Sequence, residues 1–163
     1  MIHLDTSVLV DALTGPRRSA NALRGVLDRG ERIGIATLVL YEWLRGPRRD
    51  VELVHQEALL PATAALPFGP REATLAAELY RVVPRARQRE FDLGVAACAL
   101  ACGATLWTLN ADDFRDIPGL GLFEAQARSP DPGATFAPED ADPRARRDRV
   151  RSGPASPRRR GSG

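Results

Sequence analysis

The chain has 163 residues, 44% hydrophobic and 27% charged, with 23 basic and 21 acidic side chains. This balance describes a globular protein large enough to bury a core without disulfide staples, and no run nears the ~20 continuous apolar residues of a membrane span. Every basic residue is arginine. The only cysteines are Cys98 and Cys102. Their spacing puts them on one helix face without the partners a zinc site needs, so both read as small core residues. Free thiols, and a start without a basic region and apolar leader, lead us to expect a cytoplasmic protein.

Composition shifts at Ser129. The 35 residues from there to Gly163 hold 6 Pro, 4 Gly, 8 Arg and 5 acids, with Val150 the only aliphatic residue larger than alanine. Such a segment cannot bury enough surface to offset its chain entropy and is expected to be a disordered tail. The remaining 1–128 unit carries 15 basic and 16 acidic residues. It is therefore not a broadly basic nucleic-acid binder, and a polyanion would have to be held by local arginines and metal.

Ile2–Leu4 reads as a short apolar strand. Ser7–Leu13 follows as a helix capped by Asp5 or Thr6 and stopped at Gly15-Pro16. Ser19–Asp28 is a second helix, closed by Gly30. Ile33–Ala36 is a strand, Leu38–Arg45 a helix capped by Thr37, and Val51–Leu60 a helix ending at Pro61. Leu66–Phe68 is a weak strand broken by Pro67, and Pro70 starts a helix that runs to about Val83. A basic loop with Arg85, Arg87 and Arg89 leads into Asp92–Cys102, a helix apolar around most of its circumference and ended by Gly103. Thr105–Leu109 is the last strong strand, and Leu120–Phe123 a short edge strand. Alternating strands and helices define an α/β protein with a parallel sheet covered on both faces.

In such sheets ligands bind at the carboxyl ends of the strands. Asp5 closes the first strand, Glu42 follows the second, Asp92 opens the buried helix and Asp113 follows the last strong strand. Each alone has a plain explanation. Asp5 or Asp92 could cap a helix, Glu42 could be solvated, and Asp112, Asp113 and Asp116 could be turn residues. Together they predict a like-charged cluster, and the natural filler of such a cluster is a hard cation with oxygen ligands, Mg2+ or Mn2+. His3 and His55 read as structural or solvent-facing.

The segments LDTSVLVD (4–11), ATLVLYEWLRG (36–46), FDLGVAACALACGATLWTLNADDF (91–114) and IPGL (117–120) resemble the PIN-domain ribonucleases, most closely VapC-like toxins of toxin–antitoxin pairs. The resemblance covers about residues 1–125. It implies a three-layer α/β/α sandwich and Mg2+- or Mn2+-dependent endonuclease cleavage of RNA. By position, Asp5, Glu42 and Asp92 match the family's three main acids, with Asp5 and Asp92 the principal metal ligands. Asp113 is favoured for the fourth acidic position, with Asn110 and Asp112 beside it; Thr6 and Ser7 supply hydroxyls, and Arg85, Arg87 and Arg89 are candidate phosphate contacts. The resemblance further implies a homodimer and an antitoxin seated in an apolar groove, for which Tyr41, Trp43 and Leu44 are candidates, although Trp43 reads equally well as core.

Two rivals remain. A phosphatase with Asp5 as nucleophile would need a second Asp two residues on, where Ser7 stands. A catalytically silent PIN-like binding module would keep the scaffold without the chemistry.

Overall fold

The computed structural model describes residues 1–15 and 18–125; the segment expected to be a disordered tail lies outside them. β1 (Ile2–Leu4) is the central strand, paired in parallel with β2 (Ile33–Gly34) on one side and β3 (Thr105–Trp107) on the other. Ile2, His3 and Leu4 alternate across the sheet, yet all three are buried. Both faces are therefore covered, as a parallel sheet in an α/β sandwich requires.

Both outer segments read as strands shrink to single bridges, Ala36 with Leu66 and Leu106 with Leu122. At Leu66 the reason is that the partner chain turns into a helix at Thr37, so the next amide on that edge, Phe68 N–H, donates to Thr37 Oγ1 (3.0 Å) instead of continuing the ladder. The backbone bonds there are Leu66 N–H to the Ile35 carbonyl (2.9 Å) and Thr37 N–H to the Leu66 carbonyl (2.8 Å). β3 stops at Trp107, two residues earlier than the apolar run suggests. Beyond it the Leu109 and Asn110 amides donate to side-chain hydroxyls rather than to a neighbouring strand.

The helices are α1 (Thr6–Leu13), α2 (Arg18–Asp28), α3 (Thr37–Arg45), α4 (Asp50–Leu59), α5 (Pro70–Val82) and α6 (Glu90–Ala101). α1 packs on α2, α3 and α4, while α5 lies along α6. α6 starts two residues before Asp92, which therefore sits in its first turn rather than opening it. Its residues Leu93 to Ala99 are all buried, so this turn is held by packing rather than by a cap. Gly103 ends it with φ of 63°, a conformation that suits glycine. Gly94 matters for a different reason. A Cβ there would lie 2.7 Å from Leu38 Cδ1, so the missing side chain lets α3 approach α6 closely. That approach brings together the helices carrying Glu42 and Asp92.

Trp43 is fully buried and belongs to the core, not to a groove; Tyr41 and Leu44 on the same helix are exposed. Trp107 is also core and packs on Phe123, ring centroids 5.2 Å apart. Cys98 is buried, but Cys102 is exposed, against the expectation that both face the core. α6 has ended at Ala101, and Cys102 already turns outward as its C-terminal flank. His3 is buried with both ring nitrogens unpartnered among the described residues, and burial pushes it down to about 4. Among the described residues no helix is long and apolar enough to cross a membrane.

Candidate active site

The end of β1 delivers Asp5 to the carboxyl edge of the sheet. Its N–H continues the ladder to the Trp107 carbonyl at 2.9 Å, while its backbone starts α1. The capping explanation for Asp5 does not hold, because its side chain makes no cap hydrogen bond. One carboxylate oxygen, Oδ2, instead accepts from Ser7 Oγ (2.5 Å) and from Thr108 Oγ1 (2.8 Å). Those hydroxyls are themselves aimed by the backbone after β3: Leu109 N–H donates to Ser7 Oγ and Asn110 N–H to Thr108 Oγ1, each at 3.0 Å. Asp5 is 7% exposed, so these neutral donors fix a buried acid whose position they leave little freedom to change.

A cleft of about 520 Å³ opens over this network. Asp5, Glu42 and Asp92 line it, from three elements far apart in sequence. Thr6, Ser7 and Asn110 line it as well, and so does Asp11, whose carboxylate accepts from Ser19 N–H at 2.7 Å. Val10, Thr14 and Leu109 complete the wall. Leu109 is half-exposed there, an apolar surface beside the acids.

Asp92 is the acid most affected by this company. It is pushed up to about 6, first by desolvation and then by the negative charges of Asp5, Asp113 and Glu42, with Arg89 opposing. Glu42 is half-buried and pairs with Arg45 at 3.2 Å, three residues on. Asp113 is exposed and does not form part of the cleft wall; Asn110 does. It is nevertheless near enough to Asp92 to raise it. Asp112 is exposed and pairs with Arg115 at 3.0 Å.

The three arginines before α6 divide. Arg85 and Arg87 are exposed to solvent. Arg89 is mostly covered and is bound to Asp116, an arrangement that no spacing pattern suggested. Thr108 and Asp11 had not been singled out from the sequence. The signal for Thr108 was present in the TLNADDF stretch, since a hydroxyl ending a strand at the ligand edge is well placed to orient an acid.

The polar groups lining the cleft are carboxylates, hydroxyls and the Asn110 side-chain amide, each with an oxygen a cation can use. That chemistry fits a hard divalent cation. Thr6 Oγ1 is buried without a hydrogen-bond partner among the described residues, an unmet polar atom in the same wall. Among the described residues no three acid, histidine or cysteine side chains close on one point. Asp5, Asp11, Glu42 and Asp92 are the carboxylates this wall offers.

A parallel sheet with an acid-lined cleft at its carboxyl edge defines a class of α/β proteins, and the comparisons narrow it. Residues 2–120 match the family model of the PIN domain. Over 119 residues the chain is 30% identical to Ribonuclease VapC19 of Mycobacterium tuberculosis, an alignment covering 72% of this chain and 94% of that protein. The chain belongs to the PIN-domain family. Its fold is also similar to that of VapBC2 from Rickettsia felis bound to a promoter DNA fragment, with TM-score 0.57, 24% identity, and 76% and 98% of the two chains covered. DNA-bound VapBC from Salmonella typhimurium matches with TM-score 0.61, 18% identity, and 75% and 96% covered.

Proposed function

We propose that this chain is a metal-dependent endoribonuclease, the toxin of a toxin–antitoxin pair. The observation that carries the reading is the meeting of Asp5, Glu42 and Asp92 in one cleft, with Asp92 driven up first by burial and then by its acidic neighbours. The similarity to a ribonuclease over nearly that protein's whole length supports it.

Asp5 and Asp92 would hold Mg2+ or Mn2+. The ion, when bound, supplies positive charge opposite the phosphodiester and makes nearby water more acidic. Ser7 and Thr108 keep Asp5 in one rotamer by occupying Oδ2. Glu42, on the adjacent helix, orients the attacking water and accepts its proton. Thr6 Oγ1 and Asn110 offer hydrogen bonds to phosphate oxygens, and Arg85 and Arg87 steer the flanking backbone. Asp113 acts on Asp92 through its charge. Water adds its oxygen to phosphorus as the P–O3′ bond breaks, and the 3′ oxygen takes up a proton. The products are a 5′-phosphate and a 3′-hydroxyl.

We place the protein in the cytoplasm as a homodimer with an antitoxin partner. Two of the relatives in fold are themselves VapBC complexes. Exposed Tyr41 and Leu44 on α3, and Val51 and Val54 on α4, are apolar side chains of the kind a partner helix covers.

The silent-module reading draws on one observation, that no three acids close on a single point among the described residues. A labelled structured RNA decides between them. With Mg2+ the protein is expected to cut it, and with EDTA to leave it whole. RNA binding without cleavage under any divalent cation would favour the module.

A further inference from the structure

Arg89 precedes Asp92 by three residues, yet only 13% of its side chain is exposed. Nη1–H and Nη2–H donate to the two oxygens of Asp116 at 2.8 and 2.6 Å, a two-pronged fork. Nη1–H also donates to the Pro84 carbonyl at 3.2 Å, and Nη2–H donates to the Asp113 carbonyl. Nε is buried without a partner among the described residues. One planar group thus joins the end of α5, the entry to α6 and the turn carrying Asp113. Inside the loop spanned by the Pro84 bond, Arg85 holds a left-handed φ of 55°, which a non-glycine residue keeps only when its surroundings impose it. A guanidinium engaged in this way has little left to offer a phosphate. Nothing local in the sequence links residue 89 to residue 116.

We propose that Arg89 is a positioning residue: with Asp116 it clamps the Asp113 turn onto the first turn of α6, setting where Asp113 stands relative to Asp92. This rests on the metal-dependent nuclease reading. Lysine keeps the charge but not the fork, so Arg89→Lys removes the clamp without changing the net charge.

Calorimetric Mn2+ titration of the wild-type protein, Arg89→Lys, Asp116→Asn and the double variant tests the clamp. Each single change is expected to weaken Mn2+ binding by roughly 10-fold. The double variant should be no worse than either single one, because both break the same contact. Binding of a labelled RNA in EDTA should stay unchanged in all of them. Wild-type Mn2+ affinity in Asp116→Asn, or RNA binding in EDTA weakened by Arg89→Lys and strengthened by Asp116→Asn, would overturn the clamp in favour of a phosphate grip. Amide exchange on the metal-free proteins reads the clamp separately. Faster exchange from Phe114 to Ile117 in both single variants is expected, and unchanged exchange would contradict it. If the wild-type protein takes up no Mn2+, the nuclease reading fails while the exchange result still decides the clamp.

Discussion

Asp5 and Asp92 face the same cleft but are treated in opposite ways. Asp5 is buried among neutral donors, two hydroxyls that the backbone after β3 holds in place. Asp92 sits in the first turn of a helix packed rigidly into the core, raised first by desolvation and then by three other acids, with one arginine opposing. The fold satisfies the first carboxylate internally. It leaves the second in a field that only added positive charge or a proton relieves. At this site one carboxylate is already aimed, and the other is one whose ionised form the fold disfavours until positive charge arrives.

The largest expected effect breaks the aimed side. Asp5→Asn keeps the shape of the side chain but removes its charge. Initial rates of RNA cleavage in Mg2+ should fall by far more than the ~100-fold upper range of changes in supporting contacts. The supporting contacts come next. Ser7→Ala combined with Thr108→Val leaves Asp5 in place but unheld, and Mn2+ affinity measured by calorimetry should drop by roughly 10–100-fold.

The strained side is sharpened by pH. The folded value of Asp92, about 6, lies above its ordinary 3.8, so the native state holds a proton that the unfolded chain releases. The resulting stability is fully present below about pH 4 and is lost as pH rises through about 6. In metal-free buffer at pH 7.5, Asp92→Asn should therefore melt roughly a few degrees higher than the wild-type protein, with the gain vanishing below about pH 4. His3 contributes with the opposite sign. Its folded value near 4 lies below the ordinary 6.5, so its contribution is present above 6.5 and lost as pH falls to about 4. Taking the difference between variant and wild type isolates Asp92, because His3 is common to both. The smallest effect belongs to the Arg45–Glu42 pair, whose arginine is exposed. Arg45→Ala should change unfolding free energy by no more than about 1 kcal/mol, read from urea melts.

The aimed and strained halves of the site were unequally legible. Strand-to-helix alternation was enough to put Asp5, Glu42 and Asp92 at one sheet edge, because that depends only on chain direction in a parallel sheet. Asp113 was harder. It sits in a one-turn helix, Ala111–Asp113, where neighbouring residues point in different directions, and there Asn110 rather than Asp113 reaches the cleft wall. Arg89 read as a phosphate contact because spacing shows charge but not partner. Its partner Asp116 lies 27 residues on, and such a pairing exists only once α6 and the turn after β3 are packed. The short outer strands failed similarly. Apolar residues at 66–68 and 120–123 looked like strands, but each segment forms only one bridge.

Activity at this site depends on the cleft gaining a divalent cation through Asp92. Thermal melts of the wild-type protein and Asp92→Asn with rising Mn2+ test it most directly, since a ligand that binds only the folded state raises the melting temperature by mass action. The wild-type melting temperature should climb with Mn2+, and that of Asp92→Asn should not. Equal responses from the two proteins, or none from the wild type, would contradict that dependence.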